Sequence, residues 1–224
     1  MKNINIFCFG FGQVAKNFIK KLNLEKFNVN LSATSREKTQ IKKIDKITYN
    51  NYQFIDDTFD QKLIKKIKKS DHFLISIPPI KGSDIVIKNF EKIIQECNPK
   101  WITYLSATSV YGDHQGKWVD ELSKTNPTSK NGLDRLASEK SWLIFAKKKK
   151  IPLQIFRLSG IYSKERNILV RLKSGNANII KKRNHFFSRI HVEDISNVLF
   201  KSLSNFKPNE IYNISDDKPS SSEE

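Results

Sequence analysis

Short apolar runs alternate along this chain with segments of helical period, and that alternation limits the possible folds more than any other feature. The runs are INIFCF (Ile4 to Phe9), VNLSAT (Val29 to Thr34), YQFI (Tyr52 to Ile55), HFLISI (His72 to Ile77), WITYLSA (Trp101 to Ala107), LQIFRLS (Leu153 to Ser159) and EIYNIS (Glu210 to Ser215). Continuous apolar runs of this length suit strands buried on both faces, as in a parallel sheet with helical crossovers. Between the runs, Val14, Phe18, Ile19 and Leu22 share one helical face. Val86, Phe90, Ile93, Ile94 and Cys97 share another, and Pro99 closes that helix. Leu133, Leu136, Ala137, Leu143 and Ile144 mark a third, ending in Lys147 to Lys150, cations that complement a helix C-terminus. The pattern predicts a doubly wound α/β fold.

Composition excludes several classes. With 224 residues, 38% of them hydrophobic, the chain can bury a sizeable core, unlike a disordered protein. No apolar run reaches the ~18 to 20 residues of a membrane span, and MKNINIFCFG lacks a signal-peptide pattern, so a cytoplasmic location is expected. Cys8 and Cys97 stand in apolar stretches without a CxxC, and no histidine pair has metal spacing. A disulfide framework and a metal site are therefore not expected. Lys+Arg is 40 against Asp+Glu 23, a net +17 that could attract nucleic acid, anionic membranes or phosphorylated ligands. Only seven cations are arginine, and the lysines are spread along the chain, so no clustered nucleic-acid footprint is visible and such a partner is not expected. The chain closes on SSSEE, where Ser220 with Glu223, or Ser221 with Glu224, has capping-box spacing. A helix is expected where the sequence stops, which implies a lost C-terminal element or an incomplete copy.

Directly after the first run comes GFGQVA, placing Gly10, Gly12 and Ala15 in a G-x-G-x-x-G/A pattern at the start of the first helix, with Gln13 and Val14 between. The first glycine permits the tight turn, the second permits close approach of a pyrophosphate, and the small third residue lets helix pack on strand. The helix N-terminus then offers its amides to the phosphates. Strand, glycine turn and helix in that order predict dinucleotide binding. At the end of the second run stand Ser32, Thr34, Ser35 and Arg36, with no acid before Glu37. A carboxylate there would hold both ribose hydroxyls of NAD, whereas Arg36 can stack on adenine and pair with a 2′-phosphate. NADP is thus the expected cofactor, with NAD as the alternative.

These motifs, followed by SIPP (Ser76 to Pro79), LSATSVYGD (Leu105 to Asp113), NPTSKNGLDRLASEK (Asn126 to Lys140), FRLSGIYS (Phe156 to Ser163), FSRIHVEDI (Phe187 to Ile195) and IYNISDD (Ile211 to Asp217), resemble the NAD-dependent epimerase/dehydratase family. These are the extended short-chain dehydrogenase/reductases, and the likeness is closest to atypical members known only for NAD(P) binding. The resemblance covers nearly the whole chain. It implies a Rossmann domain over residues 1–165 and a small, incomplete substrate lobe over 166–224, holding a nucleotide sugar or another small carbonyl compound.

In active family members a Ser or Thr polarises the carbonyl, a Tyr is the acid/base, and a Lys four residues on lowers the tyrosine pKa and holds the ribose. An unassisted phenol of pKa ~10 is a poor base at neutral pH. Carried onto this sequence, the tyrosine place falls on Asn131, the lysine place on Arg135 and the serine place on Ala107, with Ser106 and Thr108 beside it. Asn131 has no proton to exchange, and Arg135 can still hold ribose or phosphate. Thr108 is a candidate for the serine role; Tyr111 and His191 are candidate substitute acids, Tyr111 also fitting the wall beside the cofactor. Asp194 is expected to cap a helix, and His114 to sit in a solvated loop. Arg166 and Arg189 are candidate contacts for a substrate pyrophosphate. Three functions are compatible with this reading: an oxidoreductase or epimerase with a degenerate site, a catalytically silent dinucleotide-binding sensor or scaffold, and a nucleic-acid binder acting through the basic surface.

Overall fold

A computed structural model describes residues 2–80, 82–175 and 186–221. The chain opens with β1 (Asn3–Phe9), crosses over through α1 (Gln13–Leu24) and returns as β2 (Asn28–Ser35). A hairpin of β3 (Gln40–Ile44) and β4 (Ile47–Ile55) follows, then β5 (Thr58–Phe59), α2 (Lys62–Ile67) and β6 (His72–Ile75). Next come α3 (Ile85–Glu96), β7 (Trp101–Ala107), a 3-10 turn (Thr108–Val110) and the long α4 (Lys130–Lys149). The remainder is β8 (Leu153–Leu158), β9 (Gly160–Tyr162), α5 (Ile168–Lys173), β10 (Arg189–His191), α6 (Val192–Ser202) and β11 (Glu210–Ile214).

The main sheet has the order β11-β8-β7-β6-β1-β2-β4-β3, parallel from β11 to β4, with β3 and β5 antiparallel to β4. Strand order runs outward in both directions from β1, so a crevice opens beyond the carboxyl ends of β1 and β6, where doubly wound folds bind ligands. The strands are buried on both faces because helices cover both. Ile4, Ile6 and Cys8 of β1 pack in one core with Phe18 and Leu22 of α1 and Leu199 of α6. Phe7 and Phe9 pack in the other with Phe73, Phe90 and Trp142 beneath α3 and α4. Each such side chain contributes about 1.5 to 3 kcal/mol of burial. The hairpin of β3 and β4 was not legible, because its first strand alternates exposed and half-buried residues and has no apolar run.

Two helix starts tie the layers together. Asp84 caps α3 by accepting the amides of Val86 and Ile87, both at 3.0 Å, and also accepts Trp142 Nε1 of α4 at 2.9 Å. Burial raises its carboxyl pKa, and those donors oppose the rise. Ser129 caps α4 by accepting the Gly132 amide at 3.1 Å. A Cβ on Gly132 would lie 2.6 Å from the Ser109 carbonyl oxygen and 2.7 Å from Pro127 Cβ, so α4 passes the 3-10 turn only where that atom is missing.

Residues of α6 and β11 return to the main layers: α6 packs in the core of α1, and β11 pairs with β8. Trp101 Nε1 and Gln154 Nε2 both donate to Ser202 Oγ of α6, at 3.1 and 2.9 Å. The cause is the apolar face of α6, Val192, Ile195 and Leu199, which can be buried only against α1 and the sheet. What stands apart is the small β9–β10 sheet and α5. Asp194 does not cap α6: His191 occupies that place without a side-chain bond, and Asp194 lies in the first turn, where a carboxylate still favours the helix dipole. The acids of the expected capping box, Glu223 and Glu224, lie outside the described residues. Among the described residues no helix is long and apolar enough to cross a membrane, and no group of acid, histidine and cysteine side chains could hold a metal.

The tight passage at Gly132 generates a prediction. Gly132→Ala should lower stability by about 1 to 3 kcal/mol, the usual cost of forcing a methyl into a filled site, as read by urea unfolding. Unchanged stability would mean that the turn at Ser109 yields freely.

Candidate functional site

The turn between β1 and α1 is held from three sides. Gly10 has φ +86°, a left-handed conformation that glycine adopts without strain, and its amide donates to Thr34 Oγ1 at 2.9 Å. Ser76 Oγ donates to the Gly10 and Phe9 carbonyls at 2.9 and 3.2 Å. A Cβ on Gly10 would fall 2.8 Å from that hydroxyl and 3.0 Å from Ile77. Thr34, read as a cofactor contact, is fully buried and serves the turn itself.

Gly12 is different. It is the N-cap of α1 with extended backbone, no side chain caps the helix there, and a Cβ would meet nothing within 4 Å. The missing side chain leaves an open cradle at the positive end of a twelve-residue helix. Behind it, Val14 and Ala15 are buried and Gln13 accepts from Asn17 through its carbonyl at 2.9 Å.

At the end of β2, Ser35 Oγ accepts from Asn51 Nδ2 at 2.9 Å and from the Glu37 amide at 3.2 Å. Arg36 is exposed, and among the described residues nothing bonds its guanidinium. Glu37 is turned away, paired with Lys42, whose ammonium holds its carboxyl below the usual range. Strand β2 therefore ends in an exposed cation with the nearest acid already engaged.

The places that the family resemblance assigns to the Ser, Tyr and Lys fall at the end of β7 and the start of α4. Ala107 closes β7, and Thr108 begins the 3-10 turn. Ser106 is buried, and among the described residues its hydroxyl has no partner. Tyr104 is also buried, and burial pushes its phenol up to about 12. Asn131 is exposed in the first turn of α4. Arg135, one turn on, reaches inward, and its Nη1 donates to the Leu105 carbonyl at 2.6 Å.

Tyr111 belongs to a buried network that the sequence did not reveal. Its hydroxyl donates to Asn213 Oδ1 of β11 at 2.7 Å and accepts from Arg157 Nη1 at 2.8 Å. Arg157 Nη2 and Nε in turn donate to Glu139 of α4, at 2.8 and 3.1 Å. Burial works against the Arg157 charge, but the bonds from Glu139 and Tyr111 outweigh it and raise the guanidinium pKa. Strand and helix periodicity can place Arg157 and Glu139 on elements but cannot pair them.

Beyond this network a cleft of about 810 Å³ opens between the 3-10 turn, the loop after it, and the segments around 187 and 215. Thr108, Tyr111, His114, Trp118, Asn213 and Asp216 are among its walls; Asn131, Arg135, Arg166, Arg189 and His191 are not. His114 Nε2 lies 3.1 Å from the Lys124 carbonyl. The His191 ring lies 5.1 Å from that of Tyr162 at a tilt of 58°, and the Tyr162 hydroxyl donates to Asp216 at 3.1 Å. Arg189 bonds Ser220, and Arg166 is exposed before α5. The site residues read from the sequence thus fall into three groups: the turn with Arg36, the β7–α4 corner, and the small β9–β10 sheet with the approach to α5.

Removing one partner of the buried pair should be costly. Glu139→Ala leaves the Arg157 charge uncompensated and is expected to cost about 3 to 5 kcal/mol in chemical unfolding. A loss below about 1 kcal/mol, the range of an exposed pair, would show that Arg157 finds another partner or water.

Comparison with known proteins places this geometry. No protein-family model matches the chain, and no curated protein does. A solved structure of a functionally unknown conserved protein from Silicibacter pomeroyi is 31% identical with a TM-score of 0.81, the match covering 99% of this chain and 74% of that one. UDP-N-acetylglucosamine 4-epimerase from Bacillus cereus superposes at TM-score 0.73 and 17% identity over 100% of this chain and 81% of its own. The Bordetella bronchiseptica enzyme WbmH, solved in complex with NAD+, does so at 0.74 and 15% over 99% and 78%.

Proposed function

The chain belongs to one family with the Silicibacter pomeroyi protein, within the NAD-dependent epimerase/dehydratase group of extended short-chain dehydrogenase/reductase folds, and from that premise we propose that it binds NADP(H) and senses or scaffolds with it instead of running the usual hydride chemistry. The observation that carries this reading is the β7–α4 corner. Where a tyrosine would exchange the proton there is an exposed Asn131, and where a lysine would tune it Arg135 is bonded to the Leu105 carbonyl.

The residues at the first turn fit the cofactor. The cradle at Gly12 and the uncapped start of α1 would hold the pyrophosphate, and Arg36 would hold the 2′-phosphate. When bound, the dinucleotide supplies a hydride donor or acceptor. Arg36 is a fork of fixed donors suited to phosphate, and Glu37, engaged by Lys42, does not compete for the ribose. In the cleft, Thr108, Trp118 and Asp216 offer a hydroxyl, an exposed ring and a carboxylate to a small polar ligand. Nucleotide sugars are the ligand class suggested by the likeness to MoeE5, solved in complex with UDP-glucose and NAD. The second reading, an oxidoreductase or epimerase on such a ligand, is favoured by one feature, the Thr108 hydroxyl on the cleft wall beside the serine place.

Calorimetric titration tests the cofactor assignment. Arg36→Ala should weaken NADPH by roughly ten- to a hundredfold and leave NADH nearly unchanged, as expected for removal of a charge-assisted hydrogen bond. Gly12→Val, with its side chain in the cradle, should abolish binding of both while the protein stays folded. Equal losses of NADPH and NADH in Arg36→Ala would remove the NADP preference.

Turnover tests the silent reading. The unmodified protein should reduce or epimerise carbonyl substrates very slowly, and Ala107→Ser, Asn131→Tyr and Arg135→Lys together should raise the rate, since general acid catalysis is worth ~10²- to 10⁴-fold. Robust activity that is lost in Thr108→Ala or His191→Ala would establish the second reading instead.

A further inference from the structure

Ten lysines that are scattered in the sequence are gathered by the fold onto one pole. In a parallel sheet with crossover helices, strand starts and helix ends share the end opposite the carboxyl edge, here the end opposite the Gly10 turn. Helix α4 ends in four consecutive lysines, Lys147 to Lys150, all exposed, and among the described residues no carboxylate pairs with them. On the same side of the sheet Lys68 and Lys69 follow α2. On the opposite side Lys26 follows α1 and Lys207 follows α6, while Lys2 and Lys100 stand just before β1 and β7. All of these side chains are exposed.

Few acids offset them. Glu25, Asp71 and Glu96 at this pole are in ion pairs, with Lys21 at 2.8 Å, Lys100 at 2.8 Å and Lys68 at 3.0 Å, so Lys68 and Lys100 are already compensated; exposed Asp45 and Glu210 stand before β4 and at the start of β11. Helix dipoles explain cations in the last turn of each helix, but that attraction fades within the turn. It does not account for lysines beyond it or at strand starts. Like charges at this density repel one another and cost stability unless a polyanion is present.

We propose that this pole binds the phosphodiester backbone of nucleic acid, without sequence readout. The described cations here are lysines, point charges that suit phosphates and carry no fork for base edges. They come from helices on both sides of the sheet and from the strand starts between, so the charge covers a broad face. A membrane-docking face would join such lysines to clustered aromatic or aliphatic side chains. Here the exposed large apolar residues near the helix ends are Leu24 of α1 and Ile144 of α4, on opposite sides of the sheet. The surface is remote from the dinucleotide turn, so its test is independent of that assignment.

The test is fluorescence anisotropy of the full chain with a short labelled DNA duplex, RNA duplex and single strand, between about 50 and about 200 mM salt. Log affinity should fall linearly with log salt. Lys147→Gln/Lys148→Gln/Lys149→Gln/Lys150→Gln should weaken binding at least ~10-fold and reduce the slope by about 0.9 for each duplex phosphate no longer neutralised. Lys68→Gln/Lys69→Gln, a smaller change, should act in the same direction and carries the test if the first variant does not melt cooperatively. Lys124→Gln/Lys164→Gln/Lys173→Gln/Lys218→Gln, away from this pole, should have little effect. Equal weakening by that control set, absence of binding at the lowest salt, or sedimentation with phosphatidylserine vesicles in place of nucleic acid binding would overturn the proposal.

Discussion

The bond between Glu139 and Arg157 sets the position of everything around the site. It joins α4 to β8 in a place where both side chains are nearly fully buried, and removing two such charges from water costs several kcal/mol each. The cost is offset because the donors find acceptors: two nitrogens go to Glu139 and the third to Tyr111, whose hydroxyl passes the chain on to Asn213. Four elements are thereby locked in one register. With Glu139 turned inward, Arg135 and Asn131, one and two turns earlier, are brought toward the carboxyl edge of the sheet.

A second constraint acts at the other side of the crevice. The Gly10 turn is built from three strands, because its amide needs Thr34 of β2 and its carbonyl needs Ser76 after β6. A hydroxyl at each neighbouring strand end satisfies polar groups that would otherwise be buried unpaired. Gly12 needs no such support, and its openness is what suits an anion. The two glycines of one short motif therefore do different work, one accommodating the fold and the other leaving room for a ligand.

Much of this was legible in the residue order alone. Strand runs with helical spacers specified the doubly wound sheet, and six of the seven runs match strands of its parallel portion along most of their length. YQFI matches only the end of β4, since the polar first half of that strand has no apolar signal. The glycine turn and the exposed Arg36 after β2 were legible too. The roles of Tyr111 and Thr34 were not. Both are polar residues whose partners lie 102 and 24 positions away, and no local period encodes such a distance. Lysine placement shows the same limit: ten lysines far apart in sequence order meet at one pole once parallel crossovers bring helix ends together.

What the sequence by itself determined is the set of properties carried by neighbours in the chain: strand and helix identity, the glycine turn and the cation at the end of β2. These depend on local sterics and side-chain chemistry, which act over a few residues. What only the tertiary structure decided is which polar groups meet. Arg157 bonds Glu139, Arg135 the Leu105 carbonyl and Tyr111 Asn213, because a buried donor left without an acceptor is costly.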